Sequence, residues 1–300
     1  MMKSVKNPVE QVGLRKSHIR DGVALIKFIA KLEKEVQGGK HWTELSAAED
    51  LANYRGKQKY NRGLSFETIS SSGYHGAVIH YSPTNETDKQ ITTSEVYLLD
   101  SGGQYLDGTT DVTRTFHFGT PIDYEKECYT LVLKGHIDLT NSVFTTGLKG
   151  KLLDFAARLP LWKKGLQYRH GTGHGIGSYL NVHEGPGSIS ITWKDNKKDQ
   201  PLQENMFYSV EPGYYEDGKF GVRQENIAQI VEADTKLDWL NSYHQKVQDT
   251  IGPLIEDDPV ASEWLKKRTG YVNTTNVGNQ LSFSMFLLFI ITIITNSGIF

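Results

Sequence analysis

Only one cysteine, Cys128, occurs in 300 residues, so no disulfide can form within the chain. A chain of this length builds a core without covalent staples, and a lone thiol suits a reducing compartment without demanding one. Cys128 lies in YEKECYTLVLKGHI, which reads as an amphipathic helix, so a buried or half-buried thiol is expected rather than a nucleophile. Excess charge is equally scarce. Thirty-three Lys and Arg against 35 Asp and Glu leave a formal net charge of −2, with the basic residues dispersed. Nucleic acid, which calls for a basic face, is not an expected partner. The one dense run, Lys266-Lys267-Arg268, reads as a solvated helix end. Low-complexity tracts and short fixed-period repeats are absent, and MMKSVKNPVEQ lacks the apolar stretch of a secretion signal.

What is present alternates between helical and strand-like segments. Ile19, Val23, Ile26 and Ala30 recur at helical spacing, predicting a surface helix over 17–36 with one buried stripe. Ser46-x-x-Glu49 is a capping box for a second helix through about Lys59. GAVIHY (76–81) is short and β-prone, with His80 near its end. SEVYLLD (94–100) and DVTRTFHF (111–118) read as strands joined by a Gly-rich turn, 121–144 and 151–162 as helices. Residues 206–210 and 221–231 read as two further strands, each delivering a glutamate; period-two geometry puts Arg223, Glu225 and Ile227 on one face. The segment 237–267 reads as helical with a break at Gly252-Pro253.

Five side chains carry the chemistry: Asp100 in VYLLDSGGQY, Asp111 in DGTTDVTRT, His174 in HGTGHGIG, Glu211 in YSVEPGYY and Glu225 in FGVRQENI. These hard-to-borderline donors suit Mn²⁺ or Zn²⁺, and four carboxylates with one imidazole carry enough negative charge for two divalent ions. Two such ions roughly 3.5–4 Å apart activate a water and polarise a carbonyl. The pattern points to metal-assisted hydrolysis. Any one of these residues alone reads as a surface carboxylate or a satisfied core histidine.

The carboxyl end stands apart. After Arg268 no charged residue occurs, and FSMFLLFIITII (283–294) is almost wholly apolar. The run is short for a membrane span of about 20 residues but fits the tail removed on attachment of a glycolipid (GPI) anchor. A tail anchor, a packed terminal helix and an error in the gene boundary are the other readings. Anchoring requires export; Asn85-Glu86-Thr87 and Asn273-Thr274-Thr275 are compatible glycosylation triplets, and the export signal is expected in a segment preceding Met1.

The ordered ligand set, with HGTGHGIG and EPGYY, resembles the pita-bread metallopeptidases, and within them the Xaa-Pro aminopeptidases (aminopeptidase P). The likeness runs from about Val5 to Lys267 and includes SVKNPVE, HIRDGVALIKF, LNVHEGPGSIS and GVRQENI. It implies an α/β (α+β) fold of two pseudo-symmetric halves, with antiparallel sheets flanked by helices. Residues 1–235 would be the catalytic domain, 236–268 a helical extension and 269–300 an uncharged linker with an apolar tail. Asp100 would chelate one metal, Asp111 and Glu225 would bridge both, and His174 and Glu211 would complete the other. His183 matches a donor to the developing oxyanion; His80 and His170 match positions shaping the proline-side pocket, and Arg223 one that orients the carboxylates. The implied reaction is attack by a metal-held hydroxide on the carbonyl preceding proline, with Glu211 accepting the proton, on peptides with proline second. A prolidase, a methionine aminopeptidase-like enzyme and an inactive binding module are the competing readings. Such enzymes commonly carry amino-terminal domains and form dimers; here the chain begins almost at the catalytic domain. The implied location is the outer face of the plasma membrane through the glycolipid anchor, with the cytoplasm as alternative.

Overall fold

A computed structural model describes residues 2–191, 199–232 and 239–270. The apolar tail and the Asn273 triplet lie outside the described residues, and among those residues no helix is long and apolar enough to cross a membrane.

The chain opens with α1 (Pro8–Gln37). Asn7 caps it: its side chain accepts from Glu10 N at 3.0 Å while the Glu10 carboxylate accepts from Asn7 N at 3.0 Å, and Pro8 takes the first helical position. The predicted stripe of Val23, Ile26 and Ala30 is buried, against α5 (Trp239–Ile251) and α6 (Pro259–Arg268). The helix is not a surface element, however. A second face, Leu25, Phe28, Ile29, Leu32 and Val36, packs with Trp42, Leu51, Tyr97, Leu99 and Phe116. Each such side chain fully buried contributes about 1.5–3 kcal/mol. The charges that suggested a solvated face lie at the seams, where Lys31 pairs with Asp50 at 2.8 Å and Glu33 with Arg268 at 2.9 Å. Arg268 is therefore buried, also stacking on Trp264, and only Lys266 and Lys267 keep the predicted exposure.

Helix α2 (Glu44–Gly56) starts three residues earlier than predicted, because Thr43 and Ser46 form the capping box. Strands β1 (Asn61–Leu64) and β2 (Ile69–Ser72) follow. GAVIHY is not a strand: residues Gly73–Ala77 form a 3₁₀ turn instead. Gly76 there backs onto Gly221 so closely that a Cβ on Gly221 would fall 1.8 Å from the Gly76 oxygen. Then come β3 (Val96–Ser101), β4 (Gly103–Tyr105), β5 (Gly108–Thr109), β6 (Val112–His117), α3 (Asp123–Thr140) and α4 (Asp154–Trp162). Cys128 is buried in α3 beside Val132, Leu161 and Tyr168, and burial pushes its thiol up to about 11, which leaves it inert.

The second half supplies β7 (Gly173–Gly175), β8 (Glu184–Ile189), β9 (Phe207–Val210), β10 (Gly213–Glu216), β11 (Phe220–Arg223) and β12 (Asn226–Gln229). One antiparallel sheet has the order β2-β3-β6, another β12-β9-β7-β8. Sheet β1-β4-β5 and hairpin β10-β11 complete the β-structure among the described residues. The single strand expected over 221–231 is broken at Gln224-Glu225: β11 pairs with β10, and β12 turns away to pair with β9. Buried donors hold the break. Arg114 donates to Glu225 O at 2.6 Å and to Asn226 Oδ1 at 2.8 Å, and His136 Nδ1 donates to Gln224 O at 3.1 Å. The expected break near Gly252-Pro253 is present as the 3₁₀ turn Gly252–Leu254.

Candidate metal centre

Register brings the five predicted donors together. In the first sheet Asp100 pairs with Thr113, and Asp111 lies just before β6. In the second, Asn226 pairs with Val210, so continuing the antiparallel register by one residue sets Glu225 opposite Glu211. His174 enters from β7, its backbone N–H bonded to Ser209 Oγ at 2.9 Å. Gly173 allows this, since a Cβ there would meet the Ser209 carbonyl oxygen at 2.1 Å. The two sheets join where Glu225 N donates to Thr113 O at 3.1 Å.

One ligand atom each from Asp111, His174 and Glu225 lies within 4.8 Å of the others. His174 Nε2 stands 3.5 Å from Asp111 Oδ2 and 3.4 Å from Glu211 Oε1. His174 Nδ1 donates to Gly175 O at 3.0 Å, which leaves Nε2 to face the carboxylates. Asp111 and Glu225 are buried, whereas Glu211 and His174 are partly open to the cleft. Asp100 Oδ1 is buried and, among the described residues, without a hydrogen-bond partner, although Oδ2 accepts from Arg223.

Electrostatics show that the cluster lacks positive charge. Loss of water raises the Glu211 carboxyl to about 7, with Asp111 and Asp100 adding to the rise against His174 and Arg223. Burial, then the Asp111 and Glu211 charges, holds Glu225 well above the carboxylate range; Asp100 is also raised, by burial more than by Asp111. Burial disfavours a charge on His174, yet Asp111 and Glu211 lift it to about 9. Four crowded carboxylates, an orphaned buried oxygen and an imidazole turned edge-on are a donor set that fits two divalent cations.

A relay of hydrogen bonds surrounds the donors. Arg223 Nη2 donates to Asp100 Oδ2 and Nη1 to the Tyr215 hydroxyl, both at 2.7 Å. Tyr215 in turn meets His170 Nε2 at 2.8 Å, and His170 Nδ1 donates to Gly171 O at 2.7 Å. Both nitrogens of His170 are thus engaged, and burial beside the Arg223 charge pushes it down to about 3, so it stays neutral. Thr113 Oγ1 donates to Glu225 Oε2 at 2.6 Å and accepts from Arg223 Nε at 3.2 Å. His183 is exposed, its ring 4.1 Å from that of His174, and partial desolvation plus the His174 charge lowers its pKa. His80 is exposed on the turn after the 3₁₀ segment, close enough for its charge to act on both His170 and His183. His117 ends β6 and stays apart, 3.9 Å from Glu125. Sequence reasoning missed Thr113, Tyr215, Arg114 and His136. Two had a signal: Thr113 is two positions after Asp111, at the start of β6, and Tyr215 closes the EPGYY motif.

Comparison with known proteins turns this geometry into a family assignment. Residues 12–232 match metallopeptidase family M24, and 233–272 match the C-terminal region of that peptidase family. The chain belongs to metallopeptidase family M24. It is 46% identical over 323 residues to aminopeptidase P1 of Lotus japonicus, covering 90% of this chain and 48% of the relative. To the Xaa-Pro aminopeptidase ApepP of Drosophila melanogaster it is 46% identical over 302 residues, covering 89% and 49%. Among solved structures, X-prolyl aminopeptidase from Caenorhabditis elegans, described as a cytosolic enzyme with a di-nuclear active site, superposes with TM-score 0.83 at 36% identity. That match covers 90% of this chain and 49% of the other. The M24 chain described here thus spans about half the length of the curated relatives it matches, and its fold is the pita-bread arrangement.

Proposed function

We propose that this M24 chain is a dinuclear metal-dependent aminopeptidase that removes an amino-terminal residue from peptides with proline second. One observation carries the reading: the convergence of Asp111, His174 and Glu225 within 4.8 Å, flanked by Glu211 and Asp100. The names of its relatives support the proline specificity. Asp100, Asp111, His174, Glu211 and Glu225 would hold two Mn²⁺ or Zn²⁺ ions. When bound, such ions lower the pKa of a water and polarise the scissile carbonyl.

The chain's own groups do the rest. Glu211 is placed to take the proton from the attacking water as the new C–O bond forms. His183 donates to the developing oxyanion and supports transfer of a proton to the proline nitrogen as the C–N bond breaks. Proline's tertiary amide has no N–H, so the site needs no acceptor on that side. His170, with both nitrogens committed, acts as a neutral wall of the proline pocket, and His80 closes the same pocket from its loop. Arg223 and Thr113 orient Asp100 and Glu225. In this reading 1–235 is the catalytic unit and 236–268 a helical extension. The uncharged segment 269–300 attaches the chain to the outer face of the plasma membrane, and release by an anchor-cleaving phospholipase separates a glycolipid anchor from a tail anchor. A homodimer is expected; light scattering of the purified protein tests it.

Side-by-side assays of an Xaa-Pro dipeptide, an Xaa-Pro-Xaa tripeptide and a Met-Ala peptide test the activity. The tripeptide should be cut with release of its first residue; preference for the dipeptide would make the chain a prolidase, and a metal-free, inactive, folded chain would end the enzymatic reading.

A further inference from the structure

Glu44 opens α2 and is fully buried, yet it is not among the groups assigned to the metal centre. Its side-chain partners all come from residues 72–89, the segment that carries His80. Oε1 accepts from Ser72 N at 2.6 Å and from His75 Nδ1 at 2.9 Å. Oε2 accepts from the Tyr81 hydroxyl at 2.8 Å and from Lys89 N at 3.2 Å. Glu44 N donates to Lys89 O at 2.9 Å. One carboxylate therefore ties down both stems of the loop and two side chains within it.

The interior of the loop is built around that carboxylate. His75 stacks on Tyr81 with centroids 4.2 Å apart at 24°. Val78 N donates to His75 O at 3.0 Å and Tyr81 N to Val78 O at 3.1 Å, so the turn bearing His80 is bracketed by the two residues that Glu44 holds. Lys89 Nζ closes the stems by donating to Ser72 O at 3.1 Å and Glu95 Oε1 at 2.6 Å. The contact between Gly76 and Gly221 seats the loop against β11, two residues before Arg223. His80 is exposed, so its location depends on this scaffold.

We infer that Glu44 is a positioning residue for the substrate pocket: through His75 and Tyr81 it sets where His80 stands. The inference rests on the aminopeptidase reading and on the pocket role of His80 given above. A charged acceptor is needed because all four partner groups donate. Glutamine offers only one acceptor oxygen and would point its NH₂ at the Ser72 or Lys89 amide.

The test is a double-mutant cycle on the full chain loaded with Mn²⁺, using an Xaa-Pro-Xaa tripeptide. Glu44→Ala should raise KM about tenfold while kcat changes less than about threefold, and in a His80→Ala background the same change should cost less than about twofold. Tyr81→Phe, a milder change, should show a smaller KM effect that also vanishes without His80, and serves if Glu44→Ala does not fold. Effects that multiply with His80→Ala, or a His80→Ala variant with normal KM, would overturn the proposal. Amide exchange separates its failure from failure of the activity. Faster exchange in Glu44→Ala confined to residues 72–89 supports the clamp even in a chain that cleaves nothing, and unchanged exchange there overturns it.

Discussion

Arg223 Nη2 donates to Asp100 Oδ2 at 2.7 Å, and the other oxygen of the same carboxylate, Oδ1, is buried with no hydrogen-bond partner among the described residues. The arginine holds one oxygen of the carboxylate and leaves the other unpaired, in a group that already feels the negative charge of Asp111. Such a partner acts on a metal without touching it.

Arg223→Lys should therefore weaken metal binding. A lysine cannot reach Asp100, Tyr215 and Thr113 together, as the guanidinium does. Affinity for Mn²⁺ measured by calorimetry should fall roughly 10–100-fold. Unchanged affinity would mean that Asp100 is held without it.

Thr113→Val tests the hydroxyl that links the two halves of the centre. Thr113 Oγ1 donates to Glu225 Oε2 and accepts from Arg223 Nε. Leaving Glu225 without that buried donor should cost about 1–3 kcal/mol of stability in the metal-loaded chain. Thr113→Ser should restore most of it. Equal melting temperatures for the valine and serine variants would show the hydroxyl to be idle.

Metal removal should make stability fall as pH rises. In the metal-free chain Glu211 is raised to about 7 and His174 to about 9. A group whose folded pKa exceeds its unfolded value contributes stability that is complete below the unfolded pKa and lost as pH rises through the folded one. The metal-free melting temperature should thus fall between about pH 5 and 9. Saturating Mn²⁺ should flatten that fall and release protons on binding. Asp111→Asn should raise the metal-free melting temperature and abolish the Mn²⁺-induced shift; retention of two ions in that variant would contradict the ligand assignment.

His136 should dominate an acid limb. It is buried beneath the 224–226 break, donates from Nδ1 to Gln224 O and meets Asn226 Nδ2 at Nε2, 3.1 Å away. Burial first, and then the Arg114 charge, pushes it down to about 3. The folded pKa lies below the unfolded one, so its contribution is present above about pH 6.5 and drains away as pH falls towards 3. With saturating Mn²⁺, which suppresses the opposing Glu211 titration, His136→Gln, which keeps a donor and an acceptor, should show a shallower loss of melting temperature from about pH 7 to 5. An identical slope would sink this assignment.

Asp100, Asp111, His174, Glu211 and Glu225 were legible from the chain alone, because metal chemistry restricts the residue types and each sits in a distinctive local motif. So were the strand that carries Asp100 and the one that follows Asp111, whose β-branched and aromatic runs end at glycine turns. Local pattern misled where a distant segment decided the outcome. GAVIHY has strand composition, but its Gly76 presses on Gly221, some 145 positions later; its first two residues end a 3₁₀ turn and the rest runs on through a second turn. Residues 221–231 have the composition of a continuous strand, and only Arg114 and His136, on other elements, explain why it breaks at Glu225. Helix α1 shows one apolar stripe in its sequence, while its second buried face depends on a sheet formed later in the chain.

The sequence by itself determined which atoms are able to bind metal and which periodicities would fold, since both are properties of residue type and short spacing. Tertiary structure alone decided which donors face one another, which carboxylates are raised by burial, and that one glutamate at the start of α2 holds the loop of His80. Those outcomes depend on the removal of water and on contacts between residues tens to more than a hundred positions apart, and no local pattern encodes either.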